Sequence, residues 1–134
     1  MIKRVDHLSV QTNDFDGALD FYERVLGFNL VKKPFTYKNK RLCYLDAGNI
    51  NIELYSTKDG CKPASDYDGS RGGLDHIAFV VDDLDTEIKR LQQEGVRIIK
   101  FPFSLPIDEI NQPRLAFIEG PERQEIEIRE DKKE

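Results

Sequence analysis

The chain is written twice. VDHLSV at residues 5–10 opens a stretch that closes with NIELYS at 51–56, and LDHIAF at 74–79 opens a second that closes with EIEIRE at 125–130. In each copy a histidine follows an aspartate at the head of a short apolar run. In each, a glutamate stands between two aliphatic residues near the end. This duplication constrains the fold more than any single motif, because whatever one copy forms the other forms again.

His7, Glu53, His76 and Glu127 are the equivalent polar residues of the two copies, and His7 and His76 are the only histidines in the chain. Taken singly, a histidine in a strand is more often structural, and a glutamate between aliphatics more often faces water. The matched placement of all four outweighs those readings and gives the ligand set of a metal site. Two imidazoles and two carboxylates suit Zn, Ni, Co, Mn or Fe(II) and disfavour Cu(I) or an iron–sulfur cluster. Four such ligands leave one or two positions for water or for two vicinal oxygens of a substrate. Glu125 shares a face with Glu127 but lies further from the strand centre, so Glu127 is the preferred ligand.

Periodicity supplies the elements. Residues 4–11 alternate as a strand, with His7 and Ser9 on one face and Leu8 and Val10 on the other. Asn13-Asp14 offers an N-cap, and Phe15, Ala18, Leu19, Tyr22, Val25 and Leu26 follow at helical spacing up to a stop at Gly27. Residues 28–31, 41–47 and 50–56 read as three further strands; the last sets Ile50, Ile52 and Leu54 against Asn49, Asn51 and Glu53. The second copy repeats the order: a strand over 74–81, a cap at Asp82-Asp83, a stripe of Leu84, Ile88 and Leu91, a stop at Gly95, and strands over 96–101, 114–119 and 125–129. Residues 57–73 read as a linker, SLPIDEINQP as a loop able to fold over a site, and EDKKE as a frayed tail.

The expected fold is therefore α+β. Two βαβββ repeats, about 4–56 and about 74–130, form a single domain over 1–134. Each sheet lays one apolar face on its helix and presents His and Glu on the other. Two such sheets meeting edge to edge make a curved mixed sheet around a metal-binding cavity, with the helices on the outer face.

At 134 residues the chain can bury a core, and 34% charged residues with a net charge of −5 suit a soluble protein while disfavouring nucleic acid, which wants a basic surface. No apolar run reaches the roughly 20 residues of a membrane span, and the N-terminal stretch is too polar for a secretory signal. Cys43 and Cys61 lack CxxC spacing and read as reduced thiols of a cytoplasmic protein. Lys32, Lys33, Lys38, Lys40 and Arg41 form a basic cluster that reads first as a solvated turn and second as an anion clamp. Phe35, Tyr37, Phe101 and Phe103 read as rim or core aromatics.

The repeat and its motifs resemble the vicinal oxygen chelate superfamily, above all its glyoxalase I (lactoylglutathione lyase) branch within the glyoxalase/bleomycin resistance/dioxygenase family. The resemblance covers essentially the whole chain. Beyond the four ligands it is carried by DGALDFYERVLGF, by LDHIAFVVDDLDTEIKRLQQEGV and by AFIEGPERQEIEI, where Gly120-Pro121-Glu122-Arg123 replaces the usual turn. It implies a divalent-metal-dependent lyase or isomerase that moves a proton through a metal-bound enediolate on a small oxygenated substrate, such as a 2-oxoaldehyde–thiol adduct. It implies one divalent ion per site, Ni²⁺ or Zn²⁺ foremost and Co²⁺, Mn²⁺ or Fe²⁺ also compatible. Glu127 is assigned as base, with Glu53 as the alternative. A homodimer is implied, with the two units paired within a chain or exchanged between chains.

Departures from the family pattern matter. Ser9-Val10-Gln11 lacks the arginine, and Tyr55-Ser56-Thr57 the asparagine, that bacterial members use on glutathione, which argues against glutathione as the thiol. A methylmalonyl-CoA epimerase-like racemase is the next reading, although LDHIAF lacks that group's paired histidines. A non-catalytic small-molecule (drug) binding protein is the third, and the full ligand set argues against it. Glu53 argues against an extradiol dioxygenase, which uses two histidines and one glutamate.

Overall fold

The computed structural model describes residues 1–57, 60–62, 64, 72–105 and 113–130. Most of the linker, with Tyr67, the centre of the SLPIDEINQP loop and the last four residues lie outside them. The chain divides into two compact units, Met1–Lys62 and Pro63–Glu134.

The first unit runs β1 (His7–Thr12), α1 (Phe15–Asp20), β2 (Asn29–Tyr37), β3 (Lys40–Asp46) and β4 (Asn51–Ser56). Its sheet has the order β1-β4-β3-β2, with β1 parallel to β4 and the other pairs antiparallel. A helical crossover between β1 and β2 lets the chain come back through a meander and lay β4 beside β1 in the same direction. Asp14 caps α1 by accepting the Gly17 N–H at 3.1 Å. The expected single stripe to Leu26 is corrected in its second half: Phe21–Val25 widens to a π turn, closed by the Leu26 N–H to the Phe21 carbonyl at 2.9 Å. The wider turn keeps both Tyr22 and Val25 buried. Gly27, at φ 79°, then ends the helix in the left-handed region that only glycine enters freely.

The second unit repeats this with β5 (Ile77–Val81), α2 (Leu84–Gln93), β6 (Ile98–Ser104), β7 (Arg114–Glu119) and β8 (Glu125–Glu130). The order is β5-β8-β7-β6, again with one parallel pair, β5 and β8. Asp83 caps α2 through the Thr86 N–H at 3.1 Å. The architecture is thus α+β, with two matching modules of four mixed strands and one helix.

Alternation along the strands sets each core. In the first unit Cys43, Leu45, Ile52 and Leu54 are fully buried together with Phe15, Ala18, Tyr22 and Val25. In the second, Ala116, Ile118, Ile126 and Ile128 join Leu84, Ile88 and Leu91. Each buried aliphatic contributes about 2 kcal/mol relative to exposure. The opposite face carries polar and aromatic side chains together with Leu42 and the buried Leu115.

The boundaries of four strands, β1, β5, β2 and β6, differ from expectation. The ladder of β1 starts at His7 rather than residue 4, and Val5 is exposed. That of β5 starts at Ile77, where pairing with Ile126 begins, so Leu74 is exposed rather than paired. Strand β2 does not end at Val31 but continues through Pro34 to Tyr37, and β6 continues through Pro102 to Ser104. Both are outer strands, where a missing N–H costs no ladder bond if it faces outward, and both shift register beside the proline.

Candidate metal centre

The face of each sheet turned away from its helix brings one predicted histidine to one predicted glutamate. In the first unit Ser9, at the middle of β1, is the register partner of Glu53, and His7 sits one step earlier on the same face. That diagonal puts His7 Nε2 3.7 Å from Glu53 Oε2. In the second unit Ala78 is the partner of Glu127, and His76 Nε2 lies 3.4 Å from Glu127 Oε1. Both glutamates are largely withdrawn from solvent, with side chains 16% and 10% exposed. A carboxylate that sheltered needs hydrogen bonds or a compensating charge, and the Arg129 guanidinium stands 3.5 Å from Glu127.

The other imidazole nitrogen is tied in both cases. Asp6 Oδ2 stands 2.9 Å from His7 Nδ1, and Asp75 Oδ2 stands 2.7 Å from His76 Nδ1. With a carboxylate accepting there, the hydrogen resides on Nδ1 and the Nε2 lone pair is aimed at the glutamate. Two acceptors then face each other, an arrangement completed by a proton or by a cation. For His76 the imidazole is held above its ordinary range, first by the Asp75 hydrogen bond, against burial and with help from the Glu127 charge. The aspartates were visible in the sequence as the repeated DH dipeptide, but their role depends on geometry.

Aromatic rings flank each couple. Tyr44 meets His7 edge-on at 5.9 Å between centroids, and Phe117 meets His76 likewise at 5.4 Å. Tyr44 also donates its hydroxyl to Glu53 Oε2 at 2.5 Å, which raises the phenol above its usual range. Ser9 Oγ donates to Glu53 Oε1 at 3.0 Å. Neither hydroxyl could be singled out from the sequence, since both reach Glu53 only through sheet register.

The donor set fits a borderline divalent ion. It offers imidazole nitrogen and carboxylate oxygen, with the carboxylate–histidine support that commonly fixes metal-ligating imidazoles. Within each unit the couple is a pair, and no group of three or more His, Cys, Asp or Glu side chains is found among the described residues. Glu125, the other carboxylate weighed, is exposed at the start of β8.

The basic cluster separates on inspection. Lys32, Lys38 and Lys40 lie over the rings of Phe35, Tyr37 and Tyr55 at 4.6, 5.4 and 5.1 Å. Arg41 does not join them. It stacks on Phe15 and pairs with Asp16 at 3.1 Å, on the helix side of the sheet. Tyr37 and Phe101 are exposed rather than packed.

A repeated βαβββ module with a His–Glu couple on the free face of each sheet defines a class of protein, and comparison with known families agrees. The chain belongs to the Glyoxalase/Bleomycin resistance protein/Dioxygenase superfamily, whose model matches residues 4–128. Members of this superfamily commonly bind divalent metals and act on small molecules, and many are dimeric. Among relatives, the uncharacterized protein YwkD of Bacillus subtilis is 29% identical over 97% of this chain and 98% of its own. A probable lactoylglutathione lyase of Synechocystis is 28% identical over 91% of each chain. The mitochondrial methylmalonyl-CoA epimerase of Bos taurus is 24% identical over 72% of this chain and 57% of its own. The crystal structure of a glyoxylase/bleomycin resistance protein/dioxygenase domain from Frankia sp. superposes with a TM-score of 0.78 at 20% identity, covering 98% of this chain and 100% of that one. At that identity the likeness bears on the fold alone. No helix among the described residues is long and apolar enough to cross a membrane.

Proposed function

We propose that this chain is a divalent-metal-dependent enzyme of glyoxalase I type, a single domain that shifts a proton between adjacent carbons of a small oxygenated substrate. The observation that carries this reading is the pair of matched couples. In each, an aspartate fixes the histidine so that Nε2 faces a sheltered glutamate, leaving a place for positive charge. His7, Glu53, His76 and Glu127 are the residues that would hold the ion. A divalent cation there would supply Lewis-acid stabilisation of negative charge developing on a substrate oxygen.

The remaining work belongs to the chain's own residues. Glu127 accepts the proton from carbon beside the carbonyl: the C–H bond breaks, an O–H bond forms on the carboxyl, and the electron pair moves to the carbonyl oxygen. The same carboxyl gives the proton to the neighbouring carbon, where the C=C pair forms the new C–H bond while the hydroxyl on the first carbon becomes the carbonyl and its proton passes to the oxyanion. Asp6 and Asp75 hold the imidazole tautomers throughout. A 2-oxoaldehyde–thiol adduct suits this chemistry, with a thiol other than glutathione. An acyl thioester racemisation is the second reading, favoured by the likeness to the epimerase. We further infer a cytoplasmic homodimer.

The test is a calorimetric titration of metal-stripped protein with Ni²⁺ and Zn²⁺ beside His76→Ala. One ion per chain, lost in the variant, supports the reading. No uptake, or uptake indifferent to His76, would sink it and favour a metal-free binding protein. Assays on a hemithioacetal and on an acyl-CoA then separate the two enzymatic readings.

A further inference from the structure

The two halves match in strand order and in their His–Glu couples, but they differ in what surrounds the glutamate. In the first sheet Glu53 has Ser9 as its neighbour on β1 and Tyr44 as its neighbour on β3. Both donate hydroxyl hydrogen bonds, one to each carboxylate oxygen, at 3.0 and 2.5 Å. In the second sheet the same two register positions beside Glu127 are Ala78 and Phe117. The ring is kept, edge-on to the histidine in both halves, but the two hydroxyls are gone. The polar neighbours left to Glu127 are His76 and, at a longer 3.5 Å, the Arg129 guanidinium.

We propose that Ser9 and Tyr44 are positioning residues that clamp Glu53 as a fixed ligand, a clamp that Ala78 and Phe117 do not supply to Glu127. The inference rests on the metal-dependent reading above and deepens it by distinguishing two glutamates that the duplication makes equivalent.

The physical argument is one of constraint. Hydrogen bonds to an ionised acceptor are the stronger kind, and swinging the Glu53 carboxylate breaks two of them at once. Each carboxylate oxygen still has a second lone pair for a cation, so the clamp orients the ligand without occupying it. Glu127 has a methyl on one side and a phenyl ring on the other. Its rotation therefore breaks no hydroxyl bond, only the longer contacts to His76 and Arg129.

The test measures Ni²⁺ affinity of metal-stripped wild type, Ser9→Ala, Tyr44→Phe and the double variant, each checked for folding by circular dichroism. The single variants remove one oxygen apiece and leave the packing in place. The double variant is expected to bind Ni²⁺ about 10- to 100-fold more weakly, the usual effect of removing outer-shell partners. A Glu53→Gln background separates positioning from mere support of the fold: there Tyr44→Phe is expected to change affinity less than about twofold. Wild type that takes up no Ni²⁺ would remove the metal reading itself. Wild type that binds, with a double variant binding equally tightly, or with Tyr44→Phe costing as much in Glu53→Gln as in wild type, would leave that reading intact and overturn the clamp.

Discussion

Asp75 Oδ2 stands 2.7 Å from His76 Nδ1, and the relation recurs one repeat earlier between Asp6 and His7 at 2.9 Å. An adjacent aspartate selects the tautomer that leaves Nε2 available. Asp75→Ala is expected to lower Ni²⁺ affinity about tenfold, the smaller end of the outer-shell range because Asp75 is exposed to water. Calorimetry on metal-stripped protein measures this, and an unchanged affinity would mean that Glu127 alone orients the ring.

Glu127→Gln is expected to keep Ni²⁺ within about tenfold of wild type, because the amide oxygen can still face the cation, while turnover falls about 100-fold or more for want of a base. Metal content and rate, measured on the same preparation, test both halves. Wild-type turnover in this variant would remove Glu127 from the base role.

Cys43 is fully buried in β3, and burial pushes its thiol from the ordinary 9.0 up to about 11. The folded chain holds this proton more tightly than the unfolded chain does. Its contribution to stability is therefore fully present below pH 9 and is lost as the pH rises towards 11. Cys43→Ala is expected to flatten that alkaline decline in denaturant titrations. At pH 8 a thiol reagent is expected to label Cys61 in the folded chain, and both cysteines only after unfolding. Rapid labelling of two thiols in folded protein would contradict the packing.

Lys38 and Asn39 turn the β2–β3 hairpin with φ of 49° and 64°, the pattern of a type I′ turn. Lysine is poorly suited to that conformation, and Asn-Gly is the favoured pair. Lys38→Asn with Asn39→Gly is expected to stabilise the chain by about 1 kcal/mol, raising Tm by roughly 3 °C. A fall in Tm on thermal melting would show that the Lys38–Tyr37 contact outweighs the turn.

Much of this was legible in the sequence, for identifiable reasons. Glu53 between Ile52 and Leu54, and Glu127 between Ile126 and Ile128, alternate because one face of each sheet packs on a helix and the other does not. The caps at Asp14 and Asp83 and the stops at Gly27 and Gly95 are local chemistry and read locally. What escaped was set across strands. Pro34 and Pro102 look like breaks until the strands carrying them prove to be outermost. Ser9 and Tyr44 look like ordinary strand residues until register places them on either side of Glu53. The π turn at Phe21–Val25 keeps Tyr22 and Val25 at a helix-like spacing, so periodicity does not betray it.

Those two prolines have a second consequence. Strands β2 and β6 each close one side of a sheet, and each carries a proline and a shift of register, with Lys32 and Lys33 beside the first. A border of that kind offers an incoming strand an interrupted row of donors and a local positive charge, a poor template for continued pairing. The chain thus carries, in each of its copies, its own guard against growing into fibrils from those two sides.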